Sequence, residues 1–169
     1  MNRYYLLTLL CLLSAAKPAF SQNNTVTYPR MAGYVGIIHP IVTFDKSGTS
    51  ANFDGHYVVG MPVGINLWKT AKTGLSFEMV PFVRAENGSS KMSHLLFHPG
   101  ILLNMGKGFT FAGRAAFETT GRYGFTPVFN KVVKKNTNSS YFVAIPLPVR
   151  FGNDKPASFT FGFQFGIAF

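Results

Sequence analysis

From Phe159 onward every second residue is large and apolar: Phe159, Phe161, Phe163, Phe165, Ile167 and Phe169 alternate with Ser158, Thr160, Gly162, Gln164, Gly166 and Ala168. A helix would scatter these six side chains around its circumference, whereas a strand sets all of them on one face. The chain must therefore accommodate a wall of aromatic rings backed by small residues. The same odd-numbered apolar face recurs in Tyr57–Leu67, in Leu75, Phe77, Met79 and Val83, in Leu95, Phe97, Ile101 and Leu103, and in Tyr141–Phe151. No stretch of the chain beyond residue 21 keeps a helical apolar period for long.

Clusters rich in Gly, Ser, Asn, Asp and Lys divide these runs at 45–55, 69–74, 86–91, 104–108, 119–124, 134–140 and 152–157. Such residues favour turns, for reasons of backbone freedom and local hydrogen bonding. Seven connections predict eight strands, in a single all-β domain. The face opposite the apolar one decides the solvent. A soluble barrel would carry Lys, Glu and Asp there, but it holds mainly Gly, Ala, Ser and Thr, with scattered Glu78, Arg84, Arg114, Glu118 and Arg150. Only 13% of the chain is charged, about half the share in an ordinary soluble domain. The pattern predicts a transmembrane antiparallel up-and-down β-barrel, with the odd face in lipid and a crowded polar lumen. Closure into a barrel would satisfy the backbone groups inside the bilayer.

Residues 1–21 read as a secretory signal peptide: Arg3 near the start, an apolar run over Leu6–Leu13, and the small residues Ala19 and Ser21 before a cut. The run is too short for a membrane-spanning helix, which takes about 20 residues. Cys11, the one cysteine, lacks the small residue before it that a lipoprotein signal needs, since Leu10 stands there. Removal of this segment takes away Arg3 and Lys17, so most of the +10 formal charge belongs to the mature chain. Residues 22–30 are read as a periplasmic N-terminal segment and 31–169 as the barrel.

The chain resembles the small eight-stranded outer-membrane barrels of Gram-negative bacteria, the OmpA-type and OmpX-type proteins, over essentially all of 31–169. The most specific element is the last strand. Its alternating aromatics and terminal aromatic residue, carried here by Phe165, Ile167 and Phe169, resemble the signal read by the outer-membrane assembly machinery. The resemblance implies location in the bacterial outer membrane and contact with its lipids and lipopolysaccharide. It implies no one function, because such barrels host several.

With the N-terminus on the periplasmic side, His56, Arg84, His94, Glu118 and Arg150 fall toward the extracellular half of the lumen, and Glu78, His98 and Arg114 nearer its middle. A lumen this narrow is filled by side chains, so these groups are expected to pair as a polar plug, since unpaired buried charge is costly. The resulting function is a structural or interaction role. The alternative is a lipid-modifying barrel enzyme, similar to lipid A acylases or deacylases, with His94 or His98 as base and Glu118 orienting it. A narrow channel is a third reading. Ser93 beside His94 suits a deacylase, but strict alternation would turn Ser93 toward lipid.

His94 and His98 stand about 13 Å apart along a strand, too far to share a metal ion, and the 45–50 loop lacks the glycine and closing glutamate of a calcium loop. No metal and no cofactor is expected. Prolines 40, 62, 81, 99, 127, 146 and 148 all fall in predicted strands, where each removes a ladder donor. Pro146 and Pro148 share parity, so both missing donors face one neighbouring strand, and that seam should be weak; a lateral opening for a lipid chain there finds no matching hydrocarbon slot among the lumen residues. Lys69, Lys72, Lys107, Lys134 and Lys135 gather on the periplasmic turns without an acid, while the outer turns mix Asp45, Asp54, Glu86 and Asp154 with Lys46, Lys91, Arg122 and Lys155. These are charges for lipid headgroups or polymers. Nucleic acid is excluded as a partner, because the cations sit on turn tips with no groove-reading element. Mass spectrometry of the protein recovered from membranes should give Gln22 as the first residue; a chain starting at Met1, or a lipid on Cys11, would overturn the signal-peptide reading.

Overall fold

A computed structural model describes residues 26–169 of the chain; the predicted signal peptide, its cleavage site before Gln22 and the start of the N-terminal segment lie outside the described residues. Eleven antiparallel segments form one sheet: β1 (Arg30–Asp45), β2 (Gly48–Ala51), β3 (His56–Gly60), β4 (Val63–Trp68), β5 (Thr73–Glu86), β6 (Ser89–Gly106), β7 (Phe109–Glu118), β8 (Tyr123–Lys135), β9 (Ser140–Pro146), β10 (Val149–Phe151) and β11 (Ser158–Ala168). β2, β3 and β4 follow one another along β1, and β9 and β10 both lie between β8 and β11. Each of these groups is one stave, so the sheet has eight staves. β11 then pairs with β1 from Phe44↔Phe159 to Tyr34↔Ala168, which closes the ring. Beyond that register, Gly33 and Phe169 exchange two backbone hydrogen bonds of 2.9 Å.

Turn chemistry moves several boundaries. Asn87–Gly88 and Lys107–Gly108 each hold two successive residues at positive φ, the requirement of a two-residue type I′ hairpin. β5 and β6 therefore run on to Glu86 and Ser89, into the predicted turn cluster at 86–91. The 45–55 cluster is not one loop. Ser47 turns the chain by donating its hydroxyl and its amide to the Asp45 carboxylate, the amide at 2.7 Å, which holds that carboxyl below the usual range. β2 then pairs back onto β1, Asn52 keeps the contact through its amide to the Ile41 carbonyl, and residues 53–55 turn before β3 resumes the stave.

Side-chain alternation is kept on every stave, apart from local register shifts. The odd-numbered Val63, Phe77, Phe97, Ile101, Phe117, Phe125 and Phe163 are exposed, while the even-numbered Tyr34, Val80, Leu96, His98, Ala116 and Gln164 are buried. An apolar exterior of this extent cannot be kept in water; the fold is a transmembrane β-barrel whose outer wall meets lipid. The lumen is less polar than expected. One apolar layer, Ile38, Val58, Val80, Phe82, Leu96 and Ala116, fills its upper half, and a second, Leu102, Ala112, Val128 and Ala144 with Trp68, lies toward the end where β1 begins and β11 finishes. Glycines make room for the larger inward groups: a Cβ on Gly64 would stand 2.4 Å from the Tyr34 ring, and one on Gly166 would stand 2.6 Å from that of Phe142.

The prolines thin the hydrogen-bond ladder at mid-height. β9 leaves β11 after Ala144↔Gln164, and pairing resumes only at Val149↔Phe159. Thr160 N–H to the Pro148 carbonyl, 2.8 Å, is the backbone bond across that gap. Pro146 is fully buried and plugs the gap from inside. Pro62 separates β3 from β4 in the same way, and Pro40 sits at a register shift against Gly162. Replacing Pro146 and Pro148 together with Val should restore donors along this seam and raise stability by about 1 kcal/mol per bond regained, read as a higher urea midpoint with the same slope.

Candidate functional site

Even parity on neighbouring staves brings a set of polar side chains into contact, with Glu78, His98 and Arg114 between the two apolar layers and Glu118 beyond Ala116 of the upper one. Glu78 from β5 is central and 3% exposed. Its Oε2 accepts from the Tyr34 hydroxyl at 2.8 Å, and its Oε1 from Arg114 Nη1 and His98 Nδ1, each at 3.0 Å. Arg114 Nη2 also donates to Tyr34 Oη at 2.9 Å and to Ser76 Oγ at 3.2 Å. On the far side of His98, Nε2 lies 2.9 Å from Thr126 Oγ1, which itself takes Arg150 Nη1 at 3.0 Å. Arg150 Nε then donates to Glu118 Oε1 at 2.9 Å, and Thr120 caps Glu118 Oε2 at 3.0 Å.

Hydrogen-bond logic fixes the direction of this chain. A carboxylate only accepts, so His98 carries its proton on Nδ1 toward Glu78, and Nε2 accepts from the Thr126 hydroxyl. Thr126 in turn accepts from the Arg150 guanidinium. Glu78 and Glu118 balance Arg114 and Arg150, which lets two ion pairs sit in a low-dielectric interior where a lone charge would not be tolerated.

The remaining predicted lumen groups are placed differently. Arg84 stays outside the belt and makes a two-point pair with Glu86, Nε to Oε2 2.9 Å and Nη2 to Oε1 3.2 Å, at the loop rim. His56 turns its Nδ1 to the Asp54 carbonyl at 3.1 Å. Both sit where their staves have left the narrow lumen, so water competes for them. His94 stacks on Phe82 with ring centroids 4.6 Å apart, and its Nε2 is 3.9 Å from Glu118 Oε1, beyond a hydrogen bond.

Ser93 requires a correction. The register passes from Phe82↔His94 directly to Val83↔Met92, so Ser93 is the extra residue of a β-bulge. Alternation fails at that point, and Ser93 Oγ lies 3.0 Å from His94 Nδ1 and 3.2 Å from the Phe82 carbonyl. Ser93, His94 and Glu118 thus form a line, though with Glu118 already engaged by Arg150 and Thr120. The weak proline seam lies between the β9–β10 stave and β11, on the wall across the barrel from β6.

Sequence reasoning passed over the neutral members of the belt, Tyr34, Ser76 and Thr126, although their even numbers in β1, β5 and β8 were a usable signal. It also counted Arg122 among the outer-turn charges for lipid headgroups or polymers, whereas Nη2 of Arg122 reaches the Arg150 and Pro156 carbonyls and Ser158 Oγ, at 3.3, 2.9 and 3.1 Å. That contact ties the 152–157 loop over the barrel. His39 is a polar residue on the lipid-facing parity, and it is satisfied there by the Tyr57 hydroxyl at 3.1 Å. Below the belt a cavity of about 310 Å³ opens at the rim that bears both ends of the barrel. Its walls include Trp68, Leu102, Val128 and Phe142, a hydrocarbon-lined space that the sequence reading did not anticipate.

Together the closed ring and the apolar exterior define a small transmembrane β-barrel. No family model and no curated protein matches the sequence. Among solved structures, a de novo designed transmembrane β-barrel covers 85% of this chain and 97% of its own, at 10% identity and a TM-score of 0.49. A second de novo designed protein, determined by solution NMR, covers 83% and 93% at 10% identity and a TM-score of 0.46.

The belt predicts an asymmetry between single and double variants. Arg114→Met should destabilise the barrel by about 3–5 kcal/mol, because Glu78 is left buried without its cation. Adding Glu78→Met should recover part of that loss in urea unfolding followed by tryptophan fluorescence; a double variant weaker than the single one would contradict this account of the pair.

Proposed function

We propose that this chain is an outer-membrane barrel of the OmpA and OmpX type, with a structural and interaction role in the envelope of a Gram-negative bacterium. The observation that carries the reading is the wall-to-wall polar belt. With Glu78–Arg114 bonded between the two apolar layers and Glu118–Arg150 bonded beyond Ala116 of the upper one, side chains occupy the lumen at several heights, which supports a reading in which the surfaces left for work are the lipid-facing wall and the two rims. On this reading the terminal rim faces the periplasm and meets anionic phospholipid with its lysines, which gain favourable energy near such headgroups. The opposite rim meets lipopolysaccharide. Phe165, Ile167 and Phe169 serve as the signal by which the assembly machinery takes up the chain.

Two measurements test this. The purified barrel should migrate faster on a detergent gel before heating than after, and should give no single-channel conductance in planar bilayers. A strain lacking the gene should lose part of its barrier to bulky hydrophobic antibiotics, with the composition of its outer-membrane lipids unchanged. Stable unitary conductance, or an intact barrier, would sink the reading.

The bulge at Ser93 favours one second reading, a lipid A acyl hydrolase with Ser93 as nucleophile and His94 as base. The 3.0 Å Ser93–His94 contact supports it. The engagement of Glu118 elsewhere and the remote position of the proline seam count against it. Mass spectrometry of lipid A with and without the gene decides. A deacylated species that vanishes in Ser93→Ala, with the barrel still heat-modifiable, would replace the first reading by this one.

A further inference from the structure

The cavity below the belt has a chemical character of its own. Its volume, about 310 Å³, is at the lower end of the range for small-ligand pockets, roughly 300–1,000 Å³. Between Thr110 and Arg114 on β7 its wall spans about 13 Å at the usual strand rise. Trp68, Leu102, Val128 and Phe142 supply hydrocarbon walls, and Arg114 and Tyr34 form the closed end. No Asp or Glu lines it, while Arg30 and Lys135 stand exposed at its mouth. Neither of these cations has a carboxylate partner among the described residues.

The walls are not merely a packing defect. Asn66 Oδ1 and Arg114 Nε, both from residues that line the cavity, are buried and have no hydrogen-bond partner among the described residues. A buried amide normally finds a partner, because leaving it unmade costs free energy. The apolar walls suit a guest with an apolar body, and the cationic mouth without an acid suits an acidic end. The geometry points to a binding site for a single-chain anionic amphiphile, an acyl chain with a carboxylate or phosphate head. The chain enters the lumen between Trp68, Leu102, Val128 and Phe142, and the head stays at the mouth with Arg30 and Lys135. This assignment does not depend on which way the barrel is threaded through its membrane.

Trp68 is the one tryptophan in the sequence and lines the cavity, so its fluorescence reports occupancy directly. The experiment titrates ω-bromoundecanoate into the full mature barrel in phosphatidylcholine nanodiscs, with ω-bromoundecanol as the uncharged counterpart. Quenching should saturate at one ligand per barrel. It should require about tenfold more ligand in the Arg30→Gln/Lys135→Gln variant and about tenfold more of the alcohol, the size expected from two exposed cations acting together. Ala144→Phe, which extends a ring into the cavity, should abolish saturable quenching while leaving the heat-modifiable gel shift in place. Quenching that rises without saturation and is equal in Ala144→Phe would mean that the bromo compound acts only from the bilayer, and would overturn the site. If Ala144→Phe fails to fold, the rim variant decides, since its residues are exposed. Saturable quenching that is indifferent to the rim cations and equal for the alcohol would overturn the anionic amphiphile as the ligand.

Discussion

Every backbone amide and carbonyl that crosses the hydrocarbon region must find a partner within the protein, because lipid offers none. The pairing of β11 with β1 is what satisfies that requirement here. Without the run from Tyr34↔Ala168 to Phe44↔Phe159, both strands would present open edges to lipid, and the remaining staves would form a curved sheet with an apolar back. The other properties follow from this closure. Eight staves set a narrow lumen, the narrow lumen forces glycine opposite tyrosine and phenylalanine, and confinement makes neutralised ion pairs the stable form of any inward charge.

Much of the architecture could be read from the chain because a strand has a period of two. Phe159 to Phe169 and the odd-numbered runs before them admit one placement once the opposite face is seen to lack charge. What parity cannot supply is register. It sets Glu78, His98, Arg114, Glu118 and Arg150 on the inward side of their strands, but which of them touch depends on how far β5 to β10 slide past one another. Arg84 and His56 share that parity and still stand apart, because their height on the stave puts them at the rim. The Ser93–His94 contact was missed for a related reason. A bulge is defined by the partner strand, and nothing in the residues Met92-Ser93-His94 announces it.

The lower cavity was illegible for the opposite reason, an excess of plausible signals. Trp68, Leu102, Val128 and Phe142 are even-numbered apolar residues on different staves, each unremarkable alone. Sequence reasoning that assigned the apolar residues to the odd face and the charged ones to the even face had no place for them. The lumen is layered instead, apolar above and below the waist formed by Glu78, His98 and Arg114. This layering gives the charged belt its low-dielectric surroundings, and it gives the lower compartment the walls of a hydrocarbon site.

The prolines and the belt occupy the same height. Pro99 follows His98, Pro127 follows Thr126, and Pro148 stands two residues before Arg150; the wall loses ladder bonds where the lumen gains side-chain bonds. A barrel is ordinarily held in shape by hoops, the continuous rings of backbone pairing around its circumference. This one loosens its hoops at the waist and is braced there by spokes, so its roundness at mid-membrane is a property of what spans the inside and not of the wall alone.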